Sequence, residues 1–558
     1  MSCNDLSQYV PTEIGGIPPG LRGGKCQGWP LVCDNVYLRD LSHCAMRQGP
    51  TSRPKGALFM STFSVNKLVL TRIAKAMLVG ATLTALQASA AWDTYIKGSF
   101  GPVVNWPLIP IHVVLLPDGR VLGYGTDGQG NQTGQFTYDE WDPAKGTDAA
   151  SHLTLPNTTG TDTFCSGQIV LPASGAVLLT GGDKTVNNVR NYSVNDVNLF
   201  DYRSSALYSA QQPMQFLRWY PTVLTTAAGE VLVLGGRIDP NTPAPIPEVF
   251  TEGKGWRSLT TATNDDAYGI NNWSYPRAWQ APNGKVFIVS QTGGTFFLDP
   301  AGTGKVEKAS LTVPVSDPYL TSLMYAPGKI LSFRKLNKAV VIDINGATPT
   351  ATNVTGVGQD RYHGSATVMA DGKVFVSGGS FVSNVANGVA YTAKIWNPAN
   401  NGWTTAATAV KMRLYHSVSM LLPDGRVLTA GGGAPGPVVN LNGEIYTPPY
   451  LYKQDTSGTL ATRPTITSAP TTATWGAPIT VTANVSGISK VTLVKTGSVT
   501  HTVDFDQRFL NLSYTASGST LKVNMPASAN VAPPGYYMLF VFNSAGVPSV
   551  AKIIKLNS

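Results

Sequence analysis

Beyond residue 90, apolar and polar residues alternate with a period of two, and the alternation is broken at regular intervals by a turn glycine. The segment from Arg413 to Gly433, RLYHSVSMLLPDGRVLTAGGG, shows the unit: an alternating run, a turn at Asp424-Gly425, a β-branched and leucine run, and a stop at three glycines. Two such runs around a short turn predict a β-hairpin. The phrase recurs with turn glycines at Gly119, Gly175, Gly229, Gly284, Gly328, Gly372 and Gly425, spaced by 56, 54, 55, 44, 44 and 53 residues. That period suits one four-stranded sheet per repeat, so seven copies predict a seven-bladed kelch-type β-propeller over residues 91–455. Residues 92–113 are expected to lead in and to supply a strand that closes the ring.

After a polar linker at 456–463, short alternating strands (ITVTANV, SKVTLVKTG, LKVNMP, YYMLFVFN) predict an immunoglobulin-like β-sandwich over 464–558. No long helical pattern follows residue 90, and the fold class is all-β.

The Gly-Gly doublets read as structural, since glycine lets backbones approach closely at tight inner turns. They also set a register. Tyr220, His363 and His416 each lie nine residues before their turn glycine, and Cys165 and Tyr415 lie ten before theirs. Equivalent positions in the blades of a propeller form a ring around the channel, so these distant residues are expected to converge at one end of it.

Composition adds bounds rather than chemistry. With 42% hydrophobic and 13% charged residues the chain is an ordinary globular protein. Residues 1–90 hold nine of the Lys and Arg and four of the Asp and Glu, so the formal +9 falls to +4 for the remainder. Such a charge gives nucleic-acid binding no support. From Met60 the pattern is that of a secretory signal over 60–90: Lys67, Arg72 and Lys75, an apolar run from Ala76 to Leu86, then Ala88-Ser89-Ala90 as a small-residue cleavage site. Residues 1–59 then read as an extension from a mis-assigned start codon. The alternative is a cytoplasmic extension that turns the apolar segment into a short anchor. A secreted or periplasmic protein is expected, with no stable membrane insertion after cleavage. Cys3, Cys26, Cys33 and Cys44 precede the cleavage site, which leaves Cys165 as the sole cysteine of the mature chain. It can be inert, a reactive thiol, or committed to some covalent bond other than an internal disulfide.

TDTFCSG around Cys165, RWYPT around Tyr220, LYHS at Tyr415-His416 and THTV at His501 together resemble the copper radical oxidases, a family that includes galactose oxidase and glyoxal oxidase. The similarity runs over about residues 92–558. Taken alone, His501 between two threonines in a polar hairpin reads as an exposed histidine. The resemblance instead implies that Tyr220, Tyr415, His416 and His501 bind one copper ion, with Cys165 joined to the Tyr220 ring by a thioether. Imidazole nitrogens and phenolate oxygens suit Cu(II). Alcohol oxidation removes two electrons and a Cu(II)/Cu(I) couple takes one, so the linked tyrosine is implied as a protein-derived radical cofactor. Tyr415 is then the general base. His363 shares the ring position without a ligand motif and is expected to support the site. Trp273 and Trp279 are candidates for the aromatic that shields the radical.

Two departures from galactose oxidase bear on substrate. The mature chain leaves no room for a separate N-terminal carbohydrate-binding domain, and no arginine occurs between Gly293 and Phe333, where that enzyme has one that contacts sugar. Small aldehydes or primary alcohols, with O2 as acceptor and H2O2 as product, fit better than galactose. A monomer is expected. The rival readings are a non-catalytic secreted propeller that binds glycans or matrix, and a copper-binding protein without radical chemistry. All five residues of the motif set are present, which opposes the first rival, and Cys165 opposes the second.

Overall fold

The computed structural model describes residues 92–187 and 189–557. The expected extension at 1–59, the signal at 60–90 and the four early cysteines lie outside the described residues. Within them the chain is nearly all β, with α-helix confined to the single turns Thr94–Lys97 and Asp265–Tyr268.

Seven antiparallel sheets form the blades of a propeller, and each hairpin expected from a turn glycine supplies the two inner strands of one blade. In chain order the innermost strands are His112–Leu115, Gly167–Val170, Trp219–Thr225, Arg277–Gln280, Ser322–Ala326, Ser365–Val368 and Ser417–Leu421. Most are buried along their whole length, because neighbouring blades cover both faces. The outer strands keep a cleaner alternation, as in Lys305–Thr312 of blade 4. Blade 7 has only three strands from its own repeat and takes its outermost strand from the N-terminal lead-in, with Ser99 opposite Thr447 and Phe100 opposite Tyr446. That exchange closes the ring with backbone hydrogen bonds instead of side-chain packing alone.

Two blades carry a fully buried ion pair. Arg218 and Glu248 meet at 3.0 Å in blade 3, and Arg413 and Glu444 at 3.2 Å in blade 7. Each carboxylate also accepts backbone N–H groups, from Gln215 and Phe216 in one case and from Val410 and Lys411 in the other. Removing one partner of such a pair strands a charge in the interior.

The C-terminal domain is a two-sheet sandwich around its own apolar core of Val481, Val491, Leu493, Leu521, Val523, Leu539 and Ile554. It docks against the turn-glycine end of the propeller. A Cβ on Gly372 would lie 2.6 Å from Phe509, and one on Gly175 would lie 2.7 Å from the Tyr536 hydroxyl. Only glycine fits that approach, so the same residues that make the inner turns also seat the sandwich. Polar contacts fix the orientation: Thr492 Oγ1 donates to the Ala370 carbonyl (2.9 Å) and Arg508 Nη2 to the Gln280 carbonyl (2.9 Å).

From this platform the hairpin of Ser498–Thr500 and Val503–Asp504 enters the channel. Its first strand pairs with the innermost strand of blade 1, His112 opposite Thr500 and Val114 opposite Ser498, which makes that sheet six-stranded. Gln168 of blade 2 grips the other side: its Nε2 donates to the Val499 carbonyl, and its own carbonyl accepts from Ser498 Oγ. At the base of the hairpin, Lys495 and Asp506 form a buried ion pair at 2.5 Å.

Arg218→Met should lower stability by about 3–5 kcal/mol, because Glu248 would remain buried without its cation. Lys145→Met, which breaks a largely exposed pair with Asp142, should change it by less than about 1 kcal/mol. Denaturant midpoints of the two variants test the contrast. A second expectation concerns pH. Burial pushes the Asp504 carboxyl up to about 6, against N–H donors from Ser498 and Asp506. Its ionisation therefore opposes folding: the penalty is absent below about pH 4, grows between about 4 and 6, and is complete above. Stability should fall across that window, and Asp504→Asn should flatten the fall in thermal unfolding scans.

Candidate metal centre

The chain segments that enter the innermost strands bring the site together. Four residues nine positions before a turn glycine adopt left-handed backbone: Tyr220 (φ 67°), Tyr275 (40°), His363 (64°) and His416 (65°). Cys165, ten before Gly175, does the same at 60°. Such conformations cost a residue with a Cβ roughly 1–3 kcal/mol and persist only where surroundings over-determine them. Here backbone bonds run from blade to blade. Tyr220 N–H donates to the Cys165 carbonyl (3.0 Å), Tyr275 N–H to the Tyr220 carbonyl (3.0 Å), and His363 N–H to the Tyr319 carbonyl (2.8 Å).

His501 comes from the sandwich. Thr500 pairs with Val503, which leaves His501 and Thr502 as the two loop residues, with φ of 46° and 72°. Positive φ at both positions is what a two-residue hairpin turn favours. The polar flanks alone suggest an exposed histidine. In the structure it is 5% exposed, because the whole hairpin lies inside the channel.

Cys165 Sγ and one ring nitrogen each of His416 and His501 lie within 4.8 Å of one another. The two imidazoles stand edge to face with centroids 4.5 Å apart. Tyr415 stacks on His416 at 3.7 Å, and Tyr220 meets His501 edge-on at 4.7 Å. The hydroxyls of Tyr220 and Tyr415 are hydrogen-bonded to each other. All five side chains thus share one space, in which Tyr415 alone is partly exposed.

Their electrostatics suit a cation. Burial lowers the His416 pKa to about 3 and that of His501 well below its ordinary value, and the neighbouring histidines lower the latter further. Both imidazoles are therefore neutral. His416 Nδ1 donates to the Gly433 carbonyl at 2.7 Å, which leaves its Nε2 with a free lone pair. The Nε2 atoms of His416 and His501 are buried and have no partner among the described residues. The phenols of Tyr220 and Tyr415 are pushed well up by burial and by the acidic groups around them. Burial likewise raises the Cys165 thiol, opposed by a hydrogen bond from Tyr220. A buried dication would invert that logic by favouring phenolate. Two orphaned imidazole nitrogens and two adjoining phenol oxygens make a donor set that fits Cu(II).

His363 lies beside this group. Its ring is 5.0 Å from Tyr415 and 4.4 Å from Tyr319, and its Nε2 is 2.8 Å from the Ser383 hydroxyl. Trp273 lies 6.0 Å from Tyr220, nearly parallel. Trp279 does not reach the site, contrary to expectation. It lies five residues before Gly284, down the strand, opposite Phe287, and packs with Val313, Met324 and Ile330 in the core between blades 4 and 5.

Sequence reasoning missed four residues. Trp219 stacks directly on Tyr220, 3.9 Å away at 8°. Tyr275 lies 4.6 Å from Tyr220 and donates its hydroxyl to the Ser166 carbonyl. Tyr319 sits against His363 and Tyr415. The register contained both tyrosines, which lie nine residues before Gly284 and Gly328. Buried His112 stacks on Tyr124 at 4.5 Å with its Nδ1 on Gln168, and supports the strand that receives the hairpin.

Residues 463–556 match the galactose oxidase-like early set domain family. Galactose oxidase from Gibberella zeae is 31% identical over 498 residues, covering 82% of this chain and 70% of that protein. An aldehyde oxidase from Arabidopsis thaliana is 25% identical over 456 residues, covering 71% and 72%. Among solved structures, a copper-complexed fungal alcohol oxidase of the AA5 family superposes with a TM-score of 0.73 at 27% identity, over 83% of this chain and all of that one.

His501→Ala should weaken Cu(II) binding by at least about 100-fold, more than is typical for loss of an outer partner. The blades are stabilised by their own neighbours, so unfolding of the metal-free protein should change little. Equilibrium dialysis and thermal scans of the same sample read both outcomes.

Proposed function

Because the chain belongs to the copper radical oxidase family, we propose that it oxidises primary alcohols or small aldehydes through a Cys165–Tyr220 thioether radical. The observation that carries this reading is the meeting of Cys165, Tyr220, Tyr415, His416 and His501, drawn from two domains into one space. Tyr220, Tyr415, His416 and His501 are the residues that would hold the ion. Oxidising a primary alcohol to an aldehyde releases two electrons and two protons, and O2 takes them up as H2O2. Bound copper supplies a Lewis acid and one of the two one-electron acceptors.

The chain supplies the rest. Tyr415, as phenolate, accepts the hydroxyl proton of the substrate, a general-base role. Tyr220, as radical, takes the hydrogen atom from the carbon. A thioether ortho to its hydroxyl spreads the spin onto sulfur and lowers the potential at which the radical forms. His416 and His501, neutral through burial, hold the reacting centre, and Gly433 fixes the His416 tautomer. His363, Tyr275 and Tyr319 pack around Tyr415 and Tyr220 and hold their rings in place. Simple alcohols and aldehydes are favoured over galactose by the lack of an arginine between Gly293 and Phe333. The signal pattern at 60–90 supports an exported protein, where O2 and copper are both accessible.

Forming the thioether joins Cys165 Sγ to a Tyr220 ring carbon with loss of two hydrogens, and O2 is the oxidant. Peptide mapping of protein exposed to copper and air should yield a linked peptide, lighter by two hydrogens, that joins the TDTFCSG and RWYPT segments. Cys165→Ser should still bind copper but lose activity by roughly 100-fold or more, about 2.7 kcal/mol of barrier, in an H2O2-release assay over a panel of alcohols and aldehydes. A copper-matured protein whose Cys165 stays unlinked and alkylatable after denaturation would overturn the radical mechanism.

A further inference from the structure

Arg237 is a buried cation that the proposed reaction does not use. It lies opposite Trp219 in the blade 3 hairpin, and it is 7% exposed. Its guanidinium carbon sits 4.2 Å from the centre of the Trp219 ring and 4.7 Å from that of Trp273. Among the described residues its only side-chain hydrogen bond is a 3.3 Å contact from Nη1 to the Pro240 carbonyl, and its buried Nε has no partner. No carboxylate lies within ion-pair distance among the described residues. Asp239, the nearest acid in sequence, is on the surface and accepts the N–H groups of Asn241 and Thr242.

The two indoles that Arg237 covers are a route out of the site. Trp219 is stacked on Tyr220 at 3.9 Å, Trp273 is 5.9 Å from Trp219, and Trp273 is only partly buried. The thioether places the linked Tyr220 below an indole in potential, but Trp219 is in van der Waals contact with it and can carry the hole as an uphill step. The Tyr220 radical takes one electron from Trp219 and becomes phenolate, and Trp219 becomes a radical cation. Trp219 refills from Trp273, and Trp273 from a one-electron reductant at the surface such as hexacyanoferrate(II), which is oxidised to hexacyanoferrate(III).

We propose that Arg237 blocks this route by holding a fixed positive charge against Trp219 and Trp273, and so confines the radical to the Cys165–Tyr220 pair. Guanidinium stays protonated in any protein environment. Over a neutral indole it is attracted to the ring face. Over an oxidised indole the same contact becomes repulsion between two positive charges in a buried, low-dielectric site. That repulsion raises the potential of Trp219 further above that of the linked Tyr220. Arg237 acts through the tryptophans and is a positioning residue in the electrostatic sense.

The inference rests on the radical reading above, and the test separates the two. Copper-matured, oxidised protein is mixed with hexacyanoferrate(II), and the decay of the radical's visible absorption is followed. Arg237→Met should decay at least about tenfold faster than wild type, and Arg237→Gln, which keeps a donor for the Pro240 carbonyl, should do the same if the methionine variant folds poorly. Arg237→Lys, which keeps the charge, should stay near wild type. Adding Trp219→Phe to Arg237→Met should restore the slow decay, because phenylalanine cannot carry the hole. A wild-type lifetime in the methionine and glutamine variants would overturn the proposal. So would fast decay that persists in the double variant, since Arg237 would then act only by shielding Tyr220 from solvent. If wild type itself forms no radical, the functional reading falls first and this one with it.

Discussion

The site depends on one act of docking: a hairpin of the sandwich is threaded along the innermost strand of blade 1 until His501 reaches the far end of the channel. The blades need no such partner, because each buries its faces against the next and the N-terminal strand Ser99–Phe100 closes the ring. The sandwich in turn has its own core. What neither domain has alone is the complete donor set, since His416 lies on the propeller and His501 on the hairpin. The contacts that hold the hairpin are polar and buried, from Gln168 to the Val499 carbonyl and from Thr321 to the Thr502 carbonyl. Polar contacts of that kind fix register more than they add stability, and register is what a ligand position requires.

Backbone strain is concentrated in the same place. Cys165, Tyr220, His416 and His501 all sit at positive φ, as do their neighbours Tyr275, His363 and Thr502. Elsewhere in the repeat that conformation falls to glycine at the inner turns and to loop residues such as Ser205, Leu336, Asn337 and Asn401. At the strand mouths glycine would be easier and useless, because the proposed chemistry needs imidazole, phenol and thiol. The strain is held by the blade-to-blade bonds Tyr220–Cys165 and Tyr275–Tyr220, which make each strained residue a support for the next.

Much of this was legible before any coordinates. Seven turn glycines gave the blade count, and the distance back from each gave the ring on which Tyr220, His363 and His416 stand. Applied without exception, the same count also marks Tyr275 and Tyr319, whose blades carry no other motif to draw the eye. His501 was legible only through the THTV resemblance, because its hairpin belongs to a domain outside the repeat and its polar flanks look like surface. Trp279 misled because a tryptophan at the middle of an innermost strand faces the neighbouring blade, whereas Trp219, immediately before Tyr220, stacks on that ring. The covering of Trp219 by Arg237 arises from cross-strand pairing after the Gly235-Gly236 doublet, and no linear spacing reveals it.

The orphaned Nε2 atoms of His416 and His501 connect the site back to folding. A buried polar atom without a partner costs about 1–3 kcal/mol, and these two lie in a space already crowded with phenols held protonated by burial. The fold tolerates that cost because the strand mouths are fixed by backbone bonds, independent of what the side chains bind. A metal ion that satisfied both nitrogens would remove the penalty and bind only the folded state, so its affinity would appear directly as stability. The donor set is therefore preorganised by the propeller and completed by the hairpin, and its uncompensated nitrogens are the groups that the proposed copper ion would satisfy.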